Sequence, residues 1–131
     1  MADPSGWSTH HAWPSQPRHV ADAREFVSQG LRAHGLEGHI QVVKLVVSEL
    51  ATNAVVHAAG PFTVSLERHN GSLTLRVTDA SLQPLRGRGP VFSTSLSPSG
   101  RGLHIVASFS SGWGVNPERH GKTVWATFDL R

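Results

Sequence analysis

Glu49, Asn53 and His57 recur at intervals of four residues, a spacing that puts all three on one face of a helix. A carboxylate followed one turn later by a carboxamide oxygen suits a hard cation such as Mg²⁺, or an acid/base pair. The same spacing also describes an ordinary solvated helix face, and His57 alone reads as packing or capping at a helix end. Asp79 closes the alternating run Ser72 to Thr78. A carboxylate at a strand end can accept a hydrogen bond from an exocyclic amine, as adenine offers, although Asp is also a common turn starter. The third segment is Ser99-Gly100-Arg101-Gly102-Leu103, which opens a helical stretch. Glycines let backbone approach phosphates closely, and a helix N-terminus supplies unpaired N–H groups and the positive end of its dipole. A lone Gly-x-Gly is equally the mark of a glycine turn.

Other chemistries are excluded. The chain has 131 residues and no cysteine, which removes a disulfide framework, a thiolate zinc site and a cysteine nucleophile. It contains no Gly-x₄-Gly-Lys-Ser/Thr phosphate loop, no His-Arg-Asp with Asp-Phe-Gly pairing, and no Gly-x-Ser-x-Gly elbow. The histidines are scattered without metal-ligand spacing. Charged residues make up 16% and hydrophobic residues 38%, the composition of one globular domain. The net charge of +3 is too small to argue for nucleic acid. Arg86, Arg88 and Arg101 would be the patch of such a binder. The apolar stretch Val42 to Val56 is interrupted by Lys44, Ser48, Glu49, Thr52 and Asn53, so no membrane span is expected. Met1 to Gly6 lacks the layout of a secretory signal, and a cytoplasmic location is expected.

The elements that must position these residues follow from periodicity. Residues 1–6 read as a disordered start, and Trp7 to Trp13 as an edge strand. Val20, Ala23, Phe26, Val27 and Leu31 set a helix from Arg18 to His34, with Gly35 as its cap. Ile40, Val43, Val47, Leu50, Ala51 and Ala54 set a second helix from about His39 to Ala58. Phe62, Val64 and Leu66, then Leu73, Leu75 and Val77, alternate on either side of Asn70-Gly71, a strong hairpin signal. A lid loop is expected over about 80–100. A short helix from Arg101 to Phe109 and strands at Trp113–Val115 and Thr123–Leu130 follow, with Asn116 to Lys122 connecting them. The expected fold is α+β, a two-layer sandwich with helices on one face of a mixed, mostly antiparallel sheet.

Taken in order, these segments resemble the GHKL ATPase superfamily, and more closely its anti-sigma factor serine/threonine kinase branch, built on a histidine-kinase-like ATPase domain over residues 7–131. Glu49-x-x-x-Asn53-Ala54 with His57-Ala58 is similar to the family's N box. Asp79 matches the Asp that closes a strand beside adenine, and Gly100-Arg101-Gly102-Leu103 matches the second glycine box. Gly121-Lys122-Thr123-Val124-Trp125 resembles the closing strand, and Ala23-Arg24-x-Phe26 fits this branch.

The resemblance implies a role for each matched position. Glu49 is implied as general base, Asn53 as the Mg²⁺ ligand, and Asp79 as the partner of the adenine amine, supported by Thr123. Gly100, Arg101, Gly102 and Leu103 are implied at the phosphates. The cofactors implied are ATP and Mg²⁺. The implied activity is a bacterial protein kinase that phosphorylates an anti-sigma factor antagonist and sequesters a sigma factor, as a homodimer, with no direct nucleic-acid or membrane contact. Two departures carry an alternative, a non-catalytic protein-binding module of the same fold acting on a transcription regulator. The residues after Asp79 run Ala80-Ser81-Leu82-Gln83-Pro84 without glycine, and Pro98 stands where some of these kinases have Arg.

Overall fold

A computed structural model of the chain describes residues 6–57, 60–80 and 102–130. Strand β1 (Trp7–Trp13) leads into helix α1 (His19–Ala33). Ala23, Val27 and Leu31, at three- to four-residue steps, are fully buried, so the apolar stripe of the sequence is the stripe that packs. Gly35 ends the helix at φ 72°. The Leu36 N–H donates to the Leu31 carbonyl at 2.8 Å and the Gly35 N–H to the Arg32 carbonyl at 3.3 Å, a pair of bonds that requires the left-handed residue between them. A 3₁₀ turn (Glu37–His39) then enters helix α2 (Ile40–His57).

Strands β2 (Phe62–His69) and β3 (Ser72–Asp79) form the expected hairpin. Asn70 takes the left-handed conformation, φ 57°. Helix α3 (Gly102–Phe109) and strands β4 (Gly112–Glu118) and β5 (Gly121–Asp129) complete the described chain. The sheet order is β1-β2-β3-β5-β4, and all four of these pairings are antiparallel. The α+β fold with helices packed on an open sheet is as the sequence predicts. Its described strands hold no parallel pair.

One boundary differs. The connection expected over Asn116–Lys122 is strand on both sides: Asn116 pairs with Thr123, Pro117 with Lys122 and Glu118 with Gly121. Pro117 has no N–H to donate, yet β4 is the outermost strand and needs to bond on one side only. The turn shrinks to Arg119 and His120.

Phe62, Val64, Leu66, Leu73, Leu75, Val77, Val124, Ala126 and Phe128 are buried on one face of the sheet. Beneath α1 and α2 they join Val43, Val46, Val47, Leu50, Ala51 and Ala54 in a single core. Glu37–His57 is apolar and long enough to cross a membrane by length and composition alone. Ile40, Val43, Val46, Val47, Leu50, Ala51 and Ala54 of this span pack into the core, while Leu45 and Val56 are exposed. Trp13 lies edge-on to Phe26 at 5.7 Å between ring centroids, and Trp7 stacks on His34 at 4.0 Å, so two of the four tryptophans pin β1 to its neighbours.

Candidate functional site

Helix α2 carries the first part of the site. The face shared by Glu49, Asn53 and His57 is unevenly covered: Glu49 is half-buried, Asn53 is 4% exposed and His57 is exposed. A solvated face does not describe Asn53. Among the described residues, neither its Oδ1 nor its Nδ2 has a hydrogen-bond partner. A buried amide with both ends unpaired is costly, of order 1–3 kcal/mol per group, and such an exception calls for an explanation. A missing polar ligand supplies one.

The second part lies at the C-terminal end of β3. Phe62, Asp79 and Lys122 stand opposite one another across β2, β3 and β5. Only residues 58–61 separate α2 from Phe62, a reach of less than about 20 Å when extended. The C-terminal end of α2 is therefore tethered to the Asp79 end of the sheet, and Asn53 lies about one turn before it.

At this end the Lys122 Nζ donates to the Asp79 Oδ2 at 2.6 Å, and both side chains are buried. The two face the core side of the sheet with Phe62. Alternation puts their neighbours on the opposite side, where the Thr78 and Thr123 hydroxyls share a hydrogen bond of 2.7 Å. The structure thus does not bring the Thr123 hydroxyl onto the Asp79 carboxylate; Lys122 is the residue bonded there. Gly121 makes the approach of β5 feasible, since a Cβ at this position would run into the Asp79 carbonyl oxygen.

Gly100 and Arg101 lie outside the described residues, as do residues 81–99 of the expected lid, residues 1–5 of the expected disordered start, and Ala58 at the expected end of α2. Gly102 is the first residue of α3, and Leu103 follows it in the same helix. Helix α3 packs on α2 and β4. Lys122 is the site residue that the sequence reading passed over. The one signal for it is the alignment of Thr78-Asp79 with Lys122-Thr123, which sets both pairs once the two strands are placed side by side.

The donor set suits a magnesium–nucleotide ligand. Asn53 Oδ1 is a hard oxygen donor held without a partner, Glu49 is a half-buried carboxylate one turn away, and Asp79 is a buried acceptor at the tethered sheet end. Among the described residues, no group of three His, Asp or Glu side chains forms a metal cage.

No curated protein matches the chain. The family model of the histidine kinase-like ATPase domain matches residues 13–128, a span that contains Glu49, Asn53, Asp79 and Lys122. With the antiparallel sheet, the helices packed on it and an ATP-suited donor set, the match identifies the chain as a member of the histidine kinase-like ATPase domain family.

Proposed function

We propose that this domain binds Mg-ATP and acts as a cytoplasmic serine/threonine protein kinase that phosphorylates an anti-sigma factor antagonist. In this reading it also holds a sigma factor, as a homodimer, and so regulates transcription. The observation that carries the nucleotide reading is the buried, unpartnered Asn53 amide one helical turn from Glu49. The anti-sigma branch rests on the resemblance of Ala23-Arg24-x-Phe26, the Glu49–His57 segment and Gly100–Leu103 to that group.

Asn53 offers an oxygen to the cation and an N–H₂ to a phosphate oxygen. Asp79 accepts from the base. Glu49, half-buried and on the face of Asn53, takes the proton of an attacking serine or threonine hydroxyl. Bound Mg²⁺ supplies charge neutralisation on the phosphate oxygens. The work left to the protein is positioning and electrostatics, which a rigid helix and a paired sheet end provide.

A second reading, a non-catalytic module that binds a transcription regulator, is favoured by one observation. Lys122 already engages the Asp79 carboxylate, so base recognition has to share that group. Calorimetric titration with ATP, with and without Mg²⁺, separates the two. We expect Mg²⁺-dependent micromolar binding. Glu49→Ala should keep that binding and lower transfer to a protein substrate by about 10²–10⁴-fold. No binding at millimolar ATP would leave the non-catalytic module.

A further inference from the structure

Strands β1 and β4 are the two edges of the sheet, and they are built differently. Alternation along the ladders decides which backbone groups point off each edge. The two-residue turn Asn70-Gly71 makes His69 and Ser72 a hydrogen-bonded pair. On the other side of β3, the Leu130 N–H donates to the Gly71 carbonyl at 2.9 Å. Even-numbered residues of β3 therefore bond to β2, and odd-numbered ones to β5. Carried through the register, Trp7, Thr9, His11 and Trp13 bond to β2. The backbone N–H and C=O groups of Ser8, His10 and Ala12 point outward, and all three residues are exposed.

On β4 the outward positions are Trp113, Val115 and Pro117. Pro117 has no N–H to offer there, and exposed Glu118 adds a charge beside it. Both devices blunt an edge. Strand β1 has no proline, no glycine and no Lys, Arg, Asp or Glu, so its edge is open to another strand.

The order Trp7-Ser8-Thr9-His10-His11-Ala12-Trp13 also decides which strand fits. Laid antiparallel on a second copy, with a twofold axis at His10, the strand sets His10 against itself, Ser8 against Ala12 and Trp7 against Trp13. That register uses every outward N–H and C=O of the three residues, since each hydrogen-bonded pair exchanges both bonds. A shift by one residue sets outward groups against inward ones. A shift by two carries Ser8 or Ala12 past the end of the facing strand. Side chains agree with this register. Small Ser8 and Ala12 meet on the outer face, and half-buried Trp7 and Trp13 meet on the core face as an aromatic pair at each end. A contact of β1 with β4 of another copy is heterologous and runs into Pro117.

We infer that the β1 edge is a dimer interface, where β1 pairs antiparallel with β1 of a second copy and joins the two sheets into one. The inference rests on the homodimer of the reading above and names its surface. A strand of 7 residues buries less than a standard interface, so the dimer is a weak one, with a roughly micromolar dissociation constant.

Sedimentation equilibrium of the full chain, from micromolar to submillimolar concentration, tests it. The unmodified protein should pass from monomer to dimer over that range. His10→Lys sets two ammonium groups against each other at the axis and should weaken the dimer by about tenfold or more. His10→Pro removes the outward N–H without touching the β1–β2 ladder and should do the same. Circular dichroism should show both variants folded, and exposed His10→Lys carries the test if His10→Pro misfolds. A dimer that the folded variants do not weaken overturns the inference and leaves a homodimer built on another face. A chain that stays monomeric throughout overturns the homodimer as well, and leaves the edge to an extended segment of another protein.

Discussion

Asn53 on α2 and Asp79 on β3 are both buried polar residues at the same end of the molecule, yet their surroundings are opposite. Asp79 has a buried cation at 2.6 Å, and the strands that hold the pair are tied by the Thr78–Thr123 bond on the other face. Asn53 has no partner at either end of its amide among the described residues. Burial alone thus does not say what a polar group is for. At the sheet end the buried carboxylate already has a cation beside it, and any ligand there has to share it. On the helix a polar group is carried at a cost and repaid only when something else binds, the pattern of local inconsistency expected at functional positions.

The contrast breaks most readily at Asp79. Asp79→Ala strands a buried ammonium, and unfolding by denaturant should show a loss of about 3–5 kcal/mol. Adding Lys122→Met should return much of that loss, because the cation left unpaired causes most of it. If the single variant unfolds at the unmodified midpoint, the sheet end is not self-supporting. A smaller effect is expected at Thr123. Thr123→Val removes one side-chain hydrogen bond at nearly constant volume and should cost about 1 kcal/mol, with ATP affinity nearly unchanged, since the hydroxyl lies on the face away from Asp79. A parallel fall in affinity would join Thr123 to the site. Asn53→Ala sharpens the contrast from the other side. It should move stability by less than about 1 kcal/mol in either direction, as an unsatisfied amide is lost along with some packing. Mg-ATP binding should disappear in the same protein by calorimetry.

Much of the frame was legible in the residues. Asn70-Gly71 between two alternating runs set the hairpin, and three- and four-residue spacings set α1 and α2, because local periodicity records which face is buried. Strand β4 was read too short. Its glycines and Pro117 look like a loop until the neighbouring strand shows it to be an edge. The site was legible in part. The common face of Glu49, Asn53 and His57 follows from helical geometry, but its tilt from exposed His57 to buried Asn53 depends on how α2 lies against α1, α3 and the sheet. The Asp79–Lys122 bond was not legible from local pattern. It depends on the register of two strands far apart in sequence, and a shift of one residue would have sent Lys122 to the other face.

That same bond spans 43 positions along the chain. The backbone between them leaves β3 and returns to β5 with its ends already fastened by a ladder of paired residues and a charged clasp. The conformational entropy of closing such a loop grows only with the logarithm of its length, about 0.6 kcal/mol for each doubling. Length between Asp79 and α3 is therefore a nearly neutral variable for this fold. Segments grafted into or trimmed from that stretch should therefore leave the clasp and the β3–β5 ladder in place.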